Sequence, residues 1–432
     1  MSGKEESHGA DSSWLLGRNQ SLFIDSWGEG NKVNPGIFKE FFPPGGCRGE
    51  SEKSQKAAHG GVFVARPEGK VVFVEGALPG ELVEAEITRD AKSFQRAKVV
   101  NVLEPSQQRR DHFWPEAALG AGGADFGHIE LGHQRVLKAE ILAESLARLA
   151  GLELSPQVLS VDEGDGLGYR TRVQLHVDAD GLAGVKGTRS NEILAVKELP
   201  LANAEINELG LHKKRFPGKK KIHIASSPDS LQWSIDGEVG GSKVVTEVVG
   251  GRVFDLRPGV FWQAHSLAPK VLLEAVLEQL GDLDQPQLLD LYSGAGLFAA
   301  NVAARFPGTS VQAIELSEAA VQSGKNSARG MRNLSFQKSD VLAYLRSRQE
   351  EISTVILDPP RSGAATKVIN ELIRLKAGRI IYVACDPVSL ARDIGLLCNA
   401  GYELGWLQGY DIFPHTHHFE TVASLRLSSL RT

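Results

Sequence analysis

Asp290-Leu291-Tyr292-Ser293-Gly294-Ala295-Gly296 is the stretch on which the fold turns. An apolar run, Leu288-Leu289-Asp290-Leu291-Tyr292, leads into it, and a helical pattern over Leu297–Arg305 leads out. Strand, glycine turn and helix in that order bring a helix N-terminus up to a ligand, because Gly294 and Gly296 leave room for close approach. A lone G-x-G is weak, but this one has the flanking strand and helix it needs. Glu315 ends the next strand-like run, about 20 residues on, where a carboxylate accepts hydrogen bonds from ribose hydroxyls. A dinucleotide and S-adenosylmethionine both fit this pattern, since Ala299 stands at the third small-residue position of G-x-G-x-x-G/A.

Downstream, strand-like and helical runs alternate. Val311 to Glu315, Thr354 to Asp358 and Arg379 to Ala384 read as strands, and residues 317–329, 365–376 and 387–400 read as helices. Strands apolar throughout, with helices between them, predict an α/β fold: a doubly wound, Rossmann-like sheet covered on both faces. Ligands bind such sheets at the carboxyl ends of the strands. Two further acids fall there. Asp340 follows a further strand counted between Glu315 and Thr354, the third in the series, within reach of an adenine amino group, and Asp358 opens Asp358-Pro359-Pro360-Arg361 after the fourth, Thr354 to Asp358. Asp-Pro-Pro at that strand end favours a methyl donor over a dinucleotide. Methylases of amino groups also use Asp-Pro-Pro, but they follow it with an aromatic residue, and here Arg361 stands in that place.

Cys385 ends the fifth strand, with Asp386 able to cap the next helix and Pro387 suited to its first turn. The helix dipole favours the thiolate and Asp386 opposes it, so a modest net effect on the thiol is expected. A thiol has a use here. Carbon 5 of uracil is a poor nucleophile, and thiolate addition at carbon 6 makes an enolate that concentrates electron density on carbon 5. A base must then remove the carbon 5 proton. Glu420, in Phe413-Pro414-His415-Thr416-His417-His418-Phe419-Glu420, is the candidate, with His418 orienting it or the substrate. The three histidines also admit a metal site, but the chemistry needs none, so no metal is expected. Cys398 lies among Leu396 and Leu397 and reads as core; Cys47 is given no role.

The rest of the 432 residues reads less clearly. Residues 57–108 hold short β-type runs separated by Pro67-Glu68-Gly69 and Leu78-Pro79-Gly80, which predicts a small antiparallel barrel. Residues 109–255 mix helix and strand as a central α+β domain, with a helical pattern from Gln134 to Leu149. Residues 1–56 lack periodicity and read as a largely disordered extension. Three cysteines exclude a disulfide framework, and no apolar run approaches the roughly 20 residues that cross a bilayer. With no secretory signal either, a cytoplasmic enzyme without a membrane partner is expected. The net charge of −5 does not announce nucleic acid, but His212-Lys213-Lys214-Arg215 and Lys219-Lys220-Lys221 form a local basic patch, either a solvated loop or an RNA contact.

Together these motifs resemble the RNA uracil-5-methyltransferase family, over about residues 57 to 430. Phe73-Val74-Glu75-Gly76-Ala77-Leu78-Pro79-Gly80-Glu81 resembles the TRAM domain, an RNA-binding barrel of the OB type. Phe261-Trp262-Gln263-Ala264-His265 resembles the family's Phe-Phe-Gln-x-Asn segment, which implies that Gln263 contacts the cofactor. The resemblance also puts Tyr292, Glu315 and Asp358 on cofactor contacts, the nucleophile at Cys385 and the base at Glu420. It implies a class I S-adenosylmethionine-dependent fold and an RNA substrate, ribosomal RNA or tRNA, with ribosomal RNA preferred and no obligate protein partner. One departure stands out. Many relatives carry an iron–sulfur cluster on four cysteines; here Ala121-Gly122-Gly123-Ala124 replaces Cys-Gly-Gly-Cys, and Leu199-Pro200 falls where the last cysteine belongs. No cluster is expected. That loss leaves open a second reading, a non-catalytic RNA-binding or ribosome-assembly factor that keeps the fold; Cys385, Glu420, Gln263 and Asp358 argue against it.

Overall fold

A computed structural model describes residues 19–23, 57–58, 60–283 and 286–428. Cys47 lies outside them, as does most of the expected extension. The chain divides into two compact units, residues 1–110 and 111–432.

The described part of the first unit is a six-stranded sheet in the order Asn19–Phe23, Leu82–Asp90, Phe94–Glu104, Val71–Glu75, Val62–Ala65, Ala57–Ala58. The strand Asn19–Phe23 falls inside the segment expected to be disordered. It pairs antiparallel with Leu82–Asp90 and buries Leu22, a short-range gain that periodicity over five residues cannot reveal. The sheet is also not wholly antiparallel, because Val71–Glu75 runs parallel to Phe94–Glu104. Register shifts along the two long strands add twist and let the sheet bend. Glu81 closes its end. Its fully buried carboxylate accepts from the N–H groups of Leu78 (2.8 Å) and Ser106 (3.1 Å) and from the Arg109 guanidinium (2.6 and 2.7 Å).

The second unit is built on an eight-stranded sheet in the order Leu334–Lys338, Ser310–Glu315, Gln287–Leu291, Thr354–Leu357, Arg379–Ala384, Glu420–Leu427, Tyr402–Asp411, Val158–Ser160. Glu420–Leu427 is antiparallel to both neighbours and the other strands share one direction. The helices Leu297–Arg305, Glu318–Ser327, Thr366–Arg374 and Pro387–Asn399 lie within two residues of the runs read from sequence.

Residues 109–255 do two things. One part forms a six-stranded antiparallel sheet, running Ile193–Leu194, Ala183–Lys186, Arg172–Val177, Lys221–Ser227, Ser230–Ile235, Glu238–Gly241. Its core takes in Trp114, Ala121, Ala124 and Leu199, so the positions that resemble cluster ligands are filled with apolar packing. The other part joins the larger sheet. Strand Val158–Ser160 extends its edge, and helix Leu131–Ala150 packs along helix Pro387–Asn399 through Leu142 and Leu146 against Leu390, Ile394 and Leu397. That helix starts with the Glu130 carboxylate accepting from the His133 N–H (2.8 Å) and stops at Gly151, whose φ of 67° suits glycine. Among the described residues no helix is long and apolar enough to cross a membrane.

Leu142 is fully buried at the helix–helix seam. Leu142→Ala is expected to cost about 2–5 kcal/mol, read as a lowered urea midpoint of the 111–432 unit at unchanged slope.

Candidate active site

The carboxyl ends of the parallel strands gather the expected acids on one edge. Tyr292 follows the strand Gln287–Leu291 with φ of 63°, an uncommon state for a side chain of that size. The chain then turns through Gly294, where a Cβ would meet nothing within 4 Å, and Gly296, where it would sit 2.5 Å from the Phe336 ring. Gly294 thus leaves open space above the loop, and Gly296 is required by packing. Glu315 holds this loop directly: Oε2 accepts from the Gly294 N–H (3.0 Å) and Oε1 from the Ser317 N–H (2.7 Å). Asp340 caps the helix Val341–Ser347, accepting from the Ala343 N–H (2.9 Å). Tyr292 donates to the Ala364 carbonyl (3.3 Å). Gln263 is buried, next to Trp262, which packs in one apolar cluster with Ala295, Leu297 and Phe298 behind the glycine loop. Phe261, two residues before Gln263, is 70% exposed.

Cys385 and Glu420 come together through strand register. Ala384 pairs with Thr421 in the antiparallel ladder, so the next position out sets Cys385 opposite Glu420. Cross-strand neighbours of this kind have Cα atoms roughly 4.5–5.5 Å apart. Around Cys385 the chain is pinned. Asp386 accepts from the Ser389 N–H (2.7 Å) as helix cap, and the Ser389 hydroxyl donates to the Arg361 carbonyl (3.1 Å). Asp393, fully buried one turn further along, accepts from the Tyr382 hydroxyl (2.8 Å), the Ala364 N–H (3.0 Å) and Arg392 (2.9 Å). The loop 361–364 is therefore tied to the helix that begins behind the thiol.

Electrostatics on this edge is dominated by buried acids. Burial pushes Asp290 up to about 8, with Asp358 and Glu315 adding to it. Burial alone pushes Asp358 up to about 7. Glu420 is held well above the usual carboxylate range by burial and by Asp358, against the pull of Arg361. The Cys385 thiol is pushed up to about 12, first by burial, then by Glu420 and Asp358, again against Arg361. This corrects the expectation of a modest effect. Helix dipole and Asp386 were weighed, but neither burial nor carboxylates from other strands are visible in local sequence. His418 is pushed down to about 3 by burial, His417 and Arg361, and is neutral across the working range. His417 pairs with Asp125 through Nδ1 (2.6 Å). Among the described residues no group of three or more His, Cys, Asp or Glu is placed to hold a metal ion.

The fit to a cofactor rests on chemistry present in the fold. Asp290 Oδ1, Ser293 Oγ and Glu420 Oε2 are buried atoms without a hydrogen-bond partner, and buried polar atoms are rarely left so. They share an edge with open space over Gly294 and an excess of acid, a setting that favours a ligand carrying donors and positive charge. S-adenosylmethionine, with its sulfonium, amino group and ribose, has that character.

Residues 247–427 match the tRNA (uracil-5-)-methyltransferase family, and residues 52–100 match the TRAM domain. An RNA methyltransferase of Streptomyces avermitilis is 36% identical over 416 residues, covering 85% of this chain and 96% of the relative. The chain belongs to the RNA uracil-5-methyltransferase family. An RNA methyltransferase of Thermotoga maritima is 29% identical over 440 residues, covering 87% of this chain and 98% of that one. The solved tRNA (uracil-54, C5)-methyltransferase of Pyrococcus abyssi, in complex with S-adenosyl-L-homocysteine, shares the fold at a TM-score of 0.65 and 22% identity, covering 84% of this chain and 97% of that one. This family member is thus an S-adenosylmethionine-dependent RNA methyltransferase with a TRAM domain ahead of its class I domain.

Sequence reading passed over two contributors. Arg361 was weighed only as the residue standing where an amino-group methylase has an aromatic, and Asp393 was given no role; the position of Arg361 three residues after Asp358 was the available signal. His212, counted in the basic patch, is buried and bonded to the Lys197 carbonyl (3.1 Å), whereas Lys213, Lys214 and Arg215 are exposed.

In RNA-free enzyme at pH 8, alkylation of Cys385 by iodoacetamide, followed by peptide mass mapping, is expected to be at least about a hundredfold slower than that of a free cysteine. The raised pKa keeps the thiol protonated at this pH, so the rate climbs as pH rises. Glu420→Gln removes a negative neighbour and shifts that climb to lower pH. Free-cysteine reactivity at pH 8 would contradict this electrostatic description.

Proposed function

We propose that this enzyme methylates carbon 5 of a uridine in RNA with Cys385 as nucleophile and Glu420 as base. The register that sets Cys385 opposite Glu420, beside Asp358 and Arg361, is the observation that supports the reading most directly. Gln263, Tyr292, Gly294, Gly296, Glu315, Asp340 and Asp358 are the residues proposed to hold S-adenosylmethionine. Asp340 spends one carboxylate oxygen on its helix cap, which leaves the other for an adenine amino group.

The thiol is protonated at rest. A positive charge held among Asp290, Asp358 and Glu420 would offset the carboxylates that raise it, and the Cys385 thiol would then give its proton to water to form the thiolate. Cys385 Sγ then bonds to carbon 6 of the uracil, and the displaced electron pair moves through carbon 5 onto the carbonyl oxygen at carbon 4. S-adenosylmethionine, when bound, supplies the electrophilic methyl group to carbon 5. The Glu420 carboxylate takes the proton from carbon 5, the freed pair restores the carbon 5–carbon 6 double bond, and the carbon–sulfur pair returns to Cys385. Burial makes Glu420 a stronger base than an exposed glutamate, and the same offsetting charge is needed to keep it ionised.

The RNA grip is proposed to include Lys213, Lys214 and Arg215 and the neighbouring sheet face. There Lys221 pairs in register with His176, and Lys186 and His223 lie close enough to depress His176 further after burial. Lys219 is engaged by Glu238 (2.9 Å). Ribosomal RNA is the first substrate to test and tRNA the second.

Purified enzyme given labelled S-adenosylmethionine and RNA lacking 5-methyluridine is expected to form 5-methyluridine, and Cys385→Ala to abolish it. RNA carrying 5-fluorouridine traps a covalent complex, because carbon 5 then has no proton to give up. Methylation that survives Cys385→Ala would sink the mechanism, and RNA binding without transfer to any RNA would point to a non-catalytic factor. Separately, Glu315→Ala is expected to weaken S-adenosylmethionine binding about 10- to 100-fold by calorimetry, the loss of a charged hydrogen-bonding group.

A further inference from the structure

We propose that helix Leu131–Ala150 is a brace that sets Glu420 against Cys385, with Gln134, Lys138 and Asp125 as positioning residues. The proposal rests on the assignment of Glu420 as base.

The segment 411–418 leads from strand Tyr402–Asp411 into Glu420. It contains His415 at φ of 65°, a conformation that a non-glycine residue holds only when its surroundings enforce it. Residues 125–138 supply the backbone partners of His415, while the Asp165 carbonyl (2.9 Å from Nε2) and the Phe113 ring (centroids 4.3 Å apart) hold its imidazole. Lys138 Nζ donates to Asp411 Oδ1 (2.6 Å) and to the Phe413 carbonyl (3.1 Å), and both members of the ion pair are buried. Gln134 Oε1 accepts from the His415 N–H (2.8 Å), while its amide nitrogen donates to the carbonyls of Phe126 (3.1 Å) and Ile129 (2.9 Å). The Phe126 N–H donates to the His415 carbonyl (2.9 Å). Asp125 Oδ2 accepts from the His417 N–H (3.1 Å) and pairs with its ring (2.6 Å). Gln134 and Lys138 are one turn apart and share a helix face.

The same helix also bears on the nucleophile. Its last turn meets helix Pro387–Asn399 so closely that a Cβ on Gly395 would lie 2.5 Å from the Leu149 carbonyl oxygen. One rigid element thus contacts the helix that starts behind Cys385 and the segment that ends at Glu420. Polar ties act on the base and apolar packing on the nucleophile. Loosening the polar ties alone should therefore disturb the base and spare the thiol.

The two residues act at different steps, so the brace can be tested by kinetics. Full-length enzyme is mixed in single turnover with S-adenosylmethionine and bulk cellular RNA free of 5-methyluridine. Formation and decay of the denaturation-resistant protein–RNA complex are followed on gels. Gln134→Met is expected to form the complex within about twofold of the wild-type rate and to release it about tenfold more slowly. Asp125→Asn, a milder change, is expected to move the same way and serves if Gln134→Met melts early. In a Glu420→Gln background neither change should slow release further. Formation and release falling in the same proportion would mean a general structural role and overturn the brace, as would unchanged release. If Cys385→Ala still methylates, the base assignment falls and takes the brace with it, whereas a Cys385-dependent complex indifferent to Gln134 and Asp125 sinks the brace alone.

Discussion

Parallel strands end on one edge, and that constraint arranges everything else in the larger unit. The loops after Gln287–Leu291, Ser310–Glu315, Leu334–Lys338, Thr354–Leu357 and Arg379–Ala384 must converge, so residues from Tyr292 to Cys385 share one crevice. The antiparallel strand Glu420–Leu427 obeys the same rule in reverse. Its start, not its end, lies on that edge, and this brings Glu420 to the thiol.

Concentrating acids on one edge has an electrostatic cost. Asp290, Asp358 and Glu420 are each driven toward their neutral forms, and the Cys385 thiol with them. A site tuned for the unliganded protein would not be built so. Bound positive charge would offset that cost and return the Cys385 thiol and the Glu420 carboxyl toward their ionised forms. The buried Lys138–Asp411 pair is another charge arrangement that pairing must sustain, since losing one partner of such a pair costs about 3–5 kcal/mol.

The sheet and the glycine loop were legible because their signals are local: apolar runs of strand length, Gly294 and Gly296 between strand and helix, Asp386-Pro387 as a helix start. The pairing of Cys385 with Glu420 was legible as a chemical need for a base and from motif resemblance, but not as geometry, since register across two strands separated by a helix and a third strand has no local signature. What stayed hidden is long-range. Strand Asn19–Phe23 is too short to show periodicity and is stabilised by its partner Leu82–Asp90. Helix Leu131–Ala150 was partly read as a helix, but nothing in its pattern says that Lys138 faces Asp411. The height of the Cys385 pKa escaped for the same reason, because its causes lie on other strands.

Glu420–Leu427 is inserted between Arg379–Ala384 and Tyr402–Asp411 rather than added at a sheet margin. On the ribosome, the crevice therefore stays open along a seam until residues near 427 have emerged. A nascent chain that already displays its glycine loop and its thiol still lacks the strand that carries the carboxylate. The Cys385 thiol and the Glu420 carboxyl therefore meet only once Glu420–Leu427 has slotted between its two neighbours, whatever the order in which the other strands pair.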